Sequence, residues 1–181
     1  MSELFSIQLQ NRQQQGRDGV WLDLPTTTEQ VQAALRQIGI SSDNPQGLFI
    51  SGYFAEEEKR FAIPYNMVLA SNVDELNFLA ARLETLSAGE RAELNAALQA
   101  PQSELSSIGK ITDFPENVEY YVHLPEVRGP AQLGDYYLNR SGMVDMPEEW
   151  KGGIDTAQFG RYVAQQEQGA FTQYGYLVKS G

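Results

Sequence analysis

Two runs of neighbouring carboxylates are the places where this sequence could carry chemistry. Glu56-Glu57-Glu58 precedes Lys59-Arg60, and Glu148-Glu149 follows Pro147. Paired carboxylates serve as general acid and base when their surroundings push their proton affinities apart. Adjacent glutamates in a turn are instead solvated, and the helix macrodipole favours acids at a helix start. His123 is the only histidine. It lies in VEYYVHL (118–124), which reads as a strand, and no nucleophile-elbow glycine pattern accompanies it. With one histidine and no cysteine, the chain has neither an imidazole cluster nor a thiolate site, and its acids lack calcium-loop spacing. No Walker sequence or G-x-G-x-x-G is present. The reading is therefore a protein that is not an enzyme, with no catalytic residue, metal or cofactor.

What remains is charge. Twenty-four acids against thirteen bases give −11 over 181 residues. Duplex DNA carries about one negative charge per 1.7 Å, so such a surface repels nucleic acid and attracts basic proteins, including those that bind nucleic acid. The segment 61–120 alone carries −6, with nine acids and three bases. No stretch approaches the ~18 apolar residues of a membrane span, and the start shows no secretory signal. A cytoplasmic protein without membrane association is expected.

The elements that position these acids follow from periodicity. LFSIQLQ (4–10) and VWLDL (20–24) alternate as half-buried strands around the turn 13–19. Thr26-x-x-Glu29 reads as a capping box for a helix with Val31, Ala34, Leu35 and Ile38 inside, stopped by Gly39. GLFISGYF (47–54) is the next strand. Helices follow over 74–86, over 88–100 from the capping box Ser87-x-x-Glu90, and in a short form over 103–108. Then come the strand 118–124, a helix over 131–140 begun by Pro130, a turn at Pro147–Trp150, a helix over 156–167 capped by Asp155 and stopped by Gly169, and a closing strand over 170–178. The aromatic terminal segment holds Phe159, Tyr162, Phe171, Tyr174 and Tyr176 and reads as core or contact surface.

Three stretches, in this order and spacing, resemble the ArdA family of antirestriction proteins. They are FISGYFAEEEKRFAIPYNMVLASNVDELNFLAARLETL (49–86) with Glu75-Leu76-Asn77 at its centre, YYLNRSGMVDMPEEW (136–150), and the ending Phe159-Gly160-Arg161 with Gly169-Ala170-Phe171-Thr172 and Gly175-Tyr176. Members are carried by plasmids and conjugative transposons. The resemblance implies an elongated α+β chain of three small domains: a β-rich N-terminal one over 1–60, a helical middle over 61–116 and an α/β C-terminal one over 117–181. It implies a homodimer made by the C-terminal part, with Phe159, Tyr162, Phe171, Tyr174 and Tyr176 shared between core and contact. It implies an acidic DNA mimic that occupies the DNA-binding groove of type I restriction–modification enzymes and protects foreign DNA. The carboxylates expected to stand for phosphates are Glu56, Glu57, Glu58, Asp74, Glu75, Glu84, Glu90, Glu93, Glu148 and Glu149. The stretches flanking Phe159-Gly160-Arg161 carry fewer acids here than the family's, with Gln158, Gln165 and Gln166 nearby. Two alternatives stay open: an ArdA-fold interaction module with weak or lost mimicry that binds another basic protein, and a small enzyme using acidic residues.

Overall fold

A computed structural model describes residues 3–14, 18–41, 43, 45–100 and 104–180. The chain is mixed α+β, and the described residues form two small antiparallel sheets. It divides into two compact units, Met1–Leu86 with Leu105–Pro115 and Ser87–Glu104 with Glu116–Gly181.

The first unit is built on the strands β1 (Phe5–Asn11), β2 (Val20–Leu24) and β3 (Leu48–Phe54), in the order β2-β1-β3. Period-two alternation sends Phe5, Ile7, Leu9, Leu22 and Leu24 into the core. Helices α1 (Thr28–Gln37), α2 (Tyr65–Leu69) and α3 (Val73–Glu84) pack on these strands, and α5 (Ile108–Thr112) packs on α3. The inner stripe of α3 is Val73, Leu76, Leu79, Ala80 and Leu83. Buried Asn11 ties the end of β1 to α1, its Nδ2 donating to Ile38 O at 2.8 Å.

The second unit holds β4 (Tyr121–Leu124), β5 (Ala170–Thr172) and β6 (Gly175–Lys179), in the order β4-β6-β5. Helices α6 (Pro130–Asp135) and α8 (Thr156–Glu167) pack on each other, and Val127, Leu133, Ala164 and Tyr176 form their core with the sheet. Helix α4 (Ala88–Gln99) touches β6. A π-helical turn, Tyr136–Arg140, extends α6, and the short α7 (Glu148–Lys151) precedes α8. The helical segment 61–116 is thus shared: α2, α3 and α5 lie in the first unit and α4 in the second.

Most local signals hold. Ser87 and Glu90 make the full capping box, Asp155 caps α8 through the amides of Ala157 and Gln158, and Gly39 and Gly142 take positive φ after their helices. Five expectations are corrected. Thr27, not Thr26, caps α1, its Oγ1 accepting from Gln30 N. Thr26 is held elsewhere, its N–H donating to Asn77 Oδ1 at 2.8 Å and its carbonyl accepting from Asn77 Nδ2 at 3.0 Å. Residues 118–120 form a 3₁₀ turn, so the strand starts at Tyr121. The short helix falls at Ile108–Thr112, where Ser107 caps it, rather than at 103–108. Gln168, not Gly169, takes the left-handed conformation after α8, at φ 58°. The closing strand is a hairpin, because Gly175 turns the chain at φ 118° where a side chain would meet Leu124 O and Pro125. Gln15, Gly16 and Arg17 of the expected turn, and Pro101 after α4, lie outside the described residues.

Candidate partner-binding surface

The first unit carries twelve acids and seven bases, the second twelve and six, so the negative charge is split between them almost evenly. In the first unit, buried Ala55 ends β3 and a 3₁₀ turn at Glu57–Lys59 throws three consecutive carboxylates into solvent. Glu56 Oε2 lies 4.0 Å from Lys59 Nζ. Glu57 and Glu58 have no cationic partner among the described residues. Asn72 caps α3, accepting from Glu75 N at 2.9 Å and donating to Glu75 Oε2 at 3.4 Å. Asp74 and Glu75 thereby occupy the first turn, where the macrodipole favours acids. Glu84 stands exposed in the last turn, where the same dipole disfavours it. At about 100° per residue, Glu75 and Glu84 lie on opposite sides of α3 and Asp74 and Glu84 nearer one another, so α3 presents separated charges rather than one row.

The two acids of α4 are less free. Glu90 is bound into its cap: Ser87 N donates to Glu90 Oε1 at 3.0 Å, and this lowers the carboxyl's proton affinity. Glu93 is half-buried, and burial together with the Glu90 charge pushes its pKa up to about 7. In α7, Glu148 Oε1 pairs with Lys151 Nζ at 2.9 Å, while Glu149 is exposed beside Trp150.

Of the five aromatic residues, Tyr162 is 60% exposed and Tyr176 0%. Phe159, Phe171 and Tyr174 are half-buried. Tyr176 belongs to the core of its own unit, where its ring packs on Phe171 with centroids 4.9 Å apart, and it has no surface to share with a partner. His123 Nε2 lies 2.8 Å from Tyr174 O. A carbonyl only accepts, so the ring donates and its role is to tie β4 to the hairpin turn.

Some side-chain groupings carry no signal in the sequence. Glu167 accepts from the phenols of Tyr137 and Tyr176, thirty and nine residues away. In the first unit, Glu3 and Asp23 share one edge of a shallow cleft with Trp21 and Lys59, and a hydrogen bond with Asp23 raises the proton affinity of Glu3. Trp21, Phe54, Tyr65 and Phe78 are exposed aromatics of that unit. Among the described residues no three acids or histidines converge as a metal site, and no helix is long and apolar enough to cross a membrane.

The deciding observation comes from comparison with known families. The family described as antirestriction protein (ArdA) matches residues 15–178, nearly the whole chain, from before β2 into β6. The chain belongs to the ArdA family. No curated protein matches it. The family is one of antirestriction proteins rather than enzymes, and membership implies restriction enzymes in general as the counterparts.

Proposed function

We propose that this ArdA protein is an acidic DNA mimic that binds the DNA-binding groove of type I restriction–modification enzymes, inhibits them, and so protects incoming DNA in the cytoplasm. The observation that supports the reading is a set of solvent-exposed carboxylates, Glu57, Glu58, Asp74 and Glu84, without cationic partners among the described residues. Their mutual repulsion costs folding free energy, and a basic groove relieves it. Glu56 and Glu75 add to the acids of the first unit, and Glu148 and Glu149 are exposed acids of the second. Glu90 and Glu93 contribute less, one being held as a cap and the other partly protonated near neutral pH. The protein acts as a homodimer, and exposed Tyr162 on α8 is the aromatic of its terminal segment best placed for the contact. An elongated, three-part arrangement of the chain belongs to the same proposal.

The test is the plating of unmodified phage on a host with an active type I system. Expression of the protein raises plating towards that of a restriction-free host; unchanged plating overturns the reading. A second reading, an interaction module with weakened mimicry, is favoured by the exposed aromatics Trp21, Phe54 and Phe78. It is distinguished by a complex that forms with little dependence on salt.

A further inference from the structure

A cavity of about 390 Å³ opens in the second unit between the sheet and the aromatic turn that follows α6. Val122, Leu124 and Val178 supply its strand wall, and Tyr136 and Tyr137 the wall opposite, their rings edge to face at 5.4 Å. Met143, 74% exposed, forms part of the rim. Among the described residues, the one acid lining this space is Glu167. It reaches inward, since its Oε2 accepts from the hydroxyl of fully buried Tyr176 at 2.6 Å and its Oε1 accepts from Tyr137.

These contacts define what the cavity can take. A carboxylate offers about four lone-pair directions, and the two phenols use two of them. Two acceptor directions and a negative charge are left in a mostly apolar enclosure. The phenols remain protonated donors at all ordinary pH, because burial and the neighbouring carboxylate raise their proton affinity. A neutral apolar guest would strip water from the carboxylate's remaining acceptor directions without replacing it, and an anion would be repelled. A cation on an apolar stem satisfies both parts, with methylenes along the valines and the charge at Glu167 beside aromatic faces. The ring of Tyr136 already shows this preference outside the cavity, where the Arg140 guanidinium stands 5.7 Å from its centroid.

We propose that this cavity is a binding site for a protonated alkylamine, and specifically for the lysine side chain of a basic protein partner. A free diamine gains little there. Glu167 is the one carboxylate among the described lining residues, so a second ammonium is desolvated there without a counter-charge. The site is independent of phosphate mimicry, because it recognises one side chain by shape and charge rather than a charged groove by its summed field.

The experiment uses the full ¹⁵N-labelled chain and backbone-amide shifts, with Nα-acetyl-lysine methylamide as the probe. Saturable shifts are expected at Val122, Tyr137, Met143 and Val178, with a dissociation constant on the order of 1–10 mM. The uncharged norleucine derivative, one heavy atom shorter, is expected to bind about tenfold more weakly or worse, since the charge-assisted contact is lost, and putrescine about tenfold more weakly, since its second ammonium is desolvated without a counter-charge. Glu167→Gln should weaken the lysine probe about tenfold by the same argument. Because that change could also loosen the core, Val122→Lys serves as the second variant. It places a cation at an exposed rim position and should abolish binding while leaving the distant amide spectrum unchanged. Equal binding of the norleucine derivative, equal or tighter binding of putrescine, or undiminished binding to Val122→Lys would each overturn the proposal. So would the absence of any saturable shift. None of these readouts involves a restriction enzyme, so their failure is separate from failure of the antirestriction reading.

Discussion

Gly160 of α8 lies against Gly134 of α6 so closely that a methyl group on either would run into backbone. A Cβ at Gly160 would strike the carbonyl of Pro130 and stand 3.0 Å from Gly134 N; one at Gly134 would strike the carbonyl of Thr156. The glycine of Phe159-Gly160-Arg161 therefore has a packing reason: two short helices approach backbone to backbone beneath the sheet of the second unit.

Gly160→Ala is expected to destabilise the second unit. Alanine gains up to about 1 kcal/mol of helix propensity over glycine. The overpacked crossing costs about 2–4 kcal/mol, since rigid backbone rather than a side-chain end is in the way. A fall in the denaturation midpoint by thermal or urea melting checks this. A neutral or stabilising effect would show that the helices can separate freely.

Glu93 should make stability depend on pH near neutrality. Its folded-state pKa is raised from 4.5 to about 7, so between those values the folded chain binds more protons than the unfolded one. Stability contributed by the protonated carboxyl is complete below about 4.5, is lost as pH rises through about 7, and is flat above that. Allowing for solvent screening of a half-exposed group, the loss is about 1–2 kcal/mol. Glu93→Gln should remove this slope and stabilise the chain at pH ~8 by a similar amount. Urea melts of both proteins across that range measure it, and parallel profiles would contradict the assignment.

Two tyrosines should respond oppositely to loss of their hydroxyls. Tyr53 Oη is buried without a partner among the described residues, and burial pushes its pKa up to about 12. Tyr53→Phe should be neutral or stabilise by up to about 1 kcal/mol, since an unsatisfied polar atom is removed. Tyr176→Phe should cost about 1.5–3 kcal/mol, because it takes a donor from the Glu167 carboxylate. Equal effects in equilibrium unfolding would show that Tyr53 has found a partner, such as water.

What the sequence allowed one to read follows the range of the interactions involved. The strand 4–10, the Ser87–Glu90 box and the Asp155 cap are fixed by neighbours within a few residues, and they were legible. The choice of Thr27 over Thr26 is made by Asn77, fifty-one residues from Thr26. The hairpin at Gly175 is set by the close approach of Leu124 and Pro125. Exposure of Glu56-Glu57-Glu58 follows from three consecutive charges at a strand end. The covering of Glu93, one turn before buried Ala97, depends on tertiary packing. The Glu167 cluster joins side chains from the turn after α6, the end of α8 and β6, a juxtaposition no local pattern encodes.

If the protein dimerises through its terminal segment, Tyr162 and Tyr176 should behave differently in solution. Tyr162→Glu places a charge on an exposed face and should reduce the mass measured by light scattering at micromolar concentration without lowering stability by more than about 0.5 kcal/mol. Tyr176→Phe alters a buried core and should leave the mass unchanged. A Tyr162→Glu protein of undiminished mass would place the contact elsewhere.

The acids of the first unit should act together rather than singly. Glu57, Glu58, Asp74 and Glu84 are exposed, and no ion pair among the described residues fixes them. On the proposed reading a basic groove feels mainly their summed field, so each is expected to contribute a small share. Glu57→Gln, Glu58→Gln, Asp74→Asn or Glu84→Gln alone should lower restriction inhibition by less than about threefold, the scale of an exposed ion pair. The four together should nearly abolish inhibition in the plating assay. The quadruple variant should remain folded, because none of these carboxylates packs in the core. Glu84→Gln in particular should raise stability slightly, by about 0.3–1 kcal/mol, through relief of its unfavourable place at the C-terminal end of α3. On the proposed reading, binding of the unaltered protein to its target should weaken as salt rises, as protein–DNA binding does. A mobility shift with duplex DNA should show no complex, given −11 of net charge. Should one amide substitution abolish inhibition while the melting profile stays intact, distributed charge would give way to a discrete contact at that carboxylate.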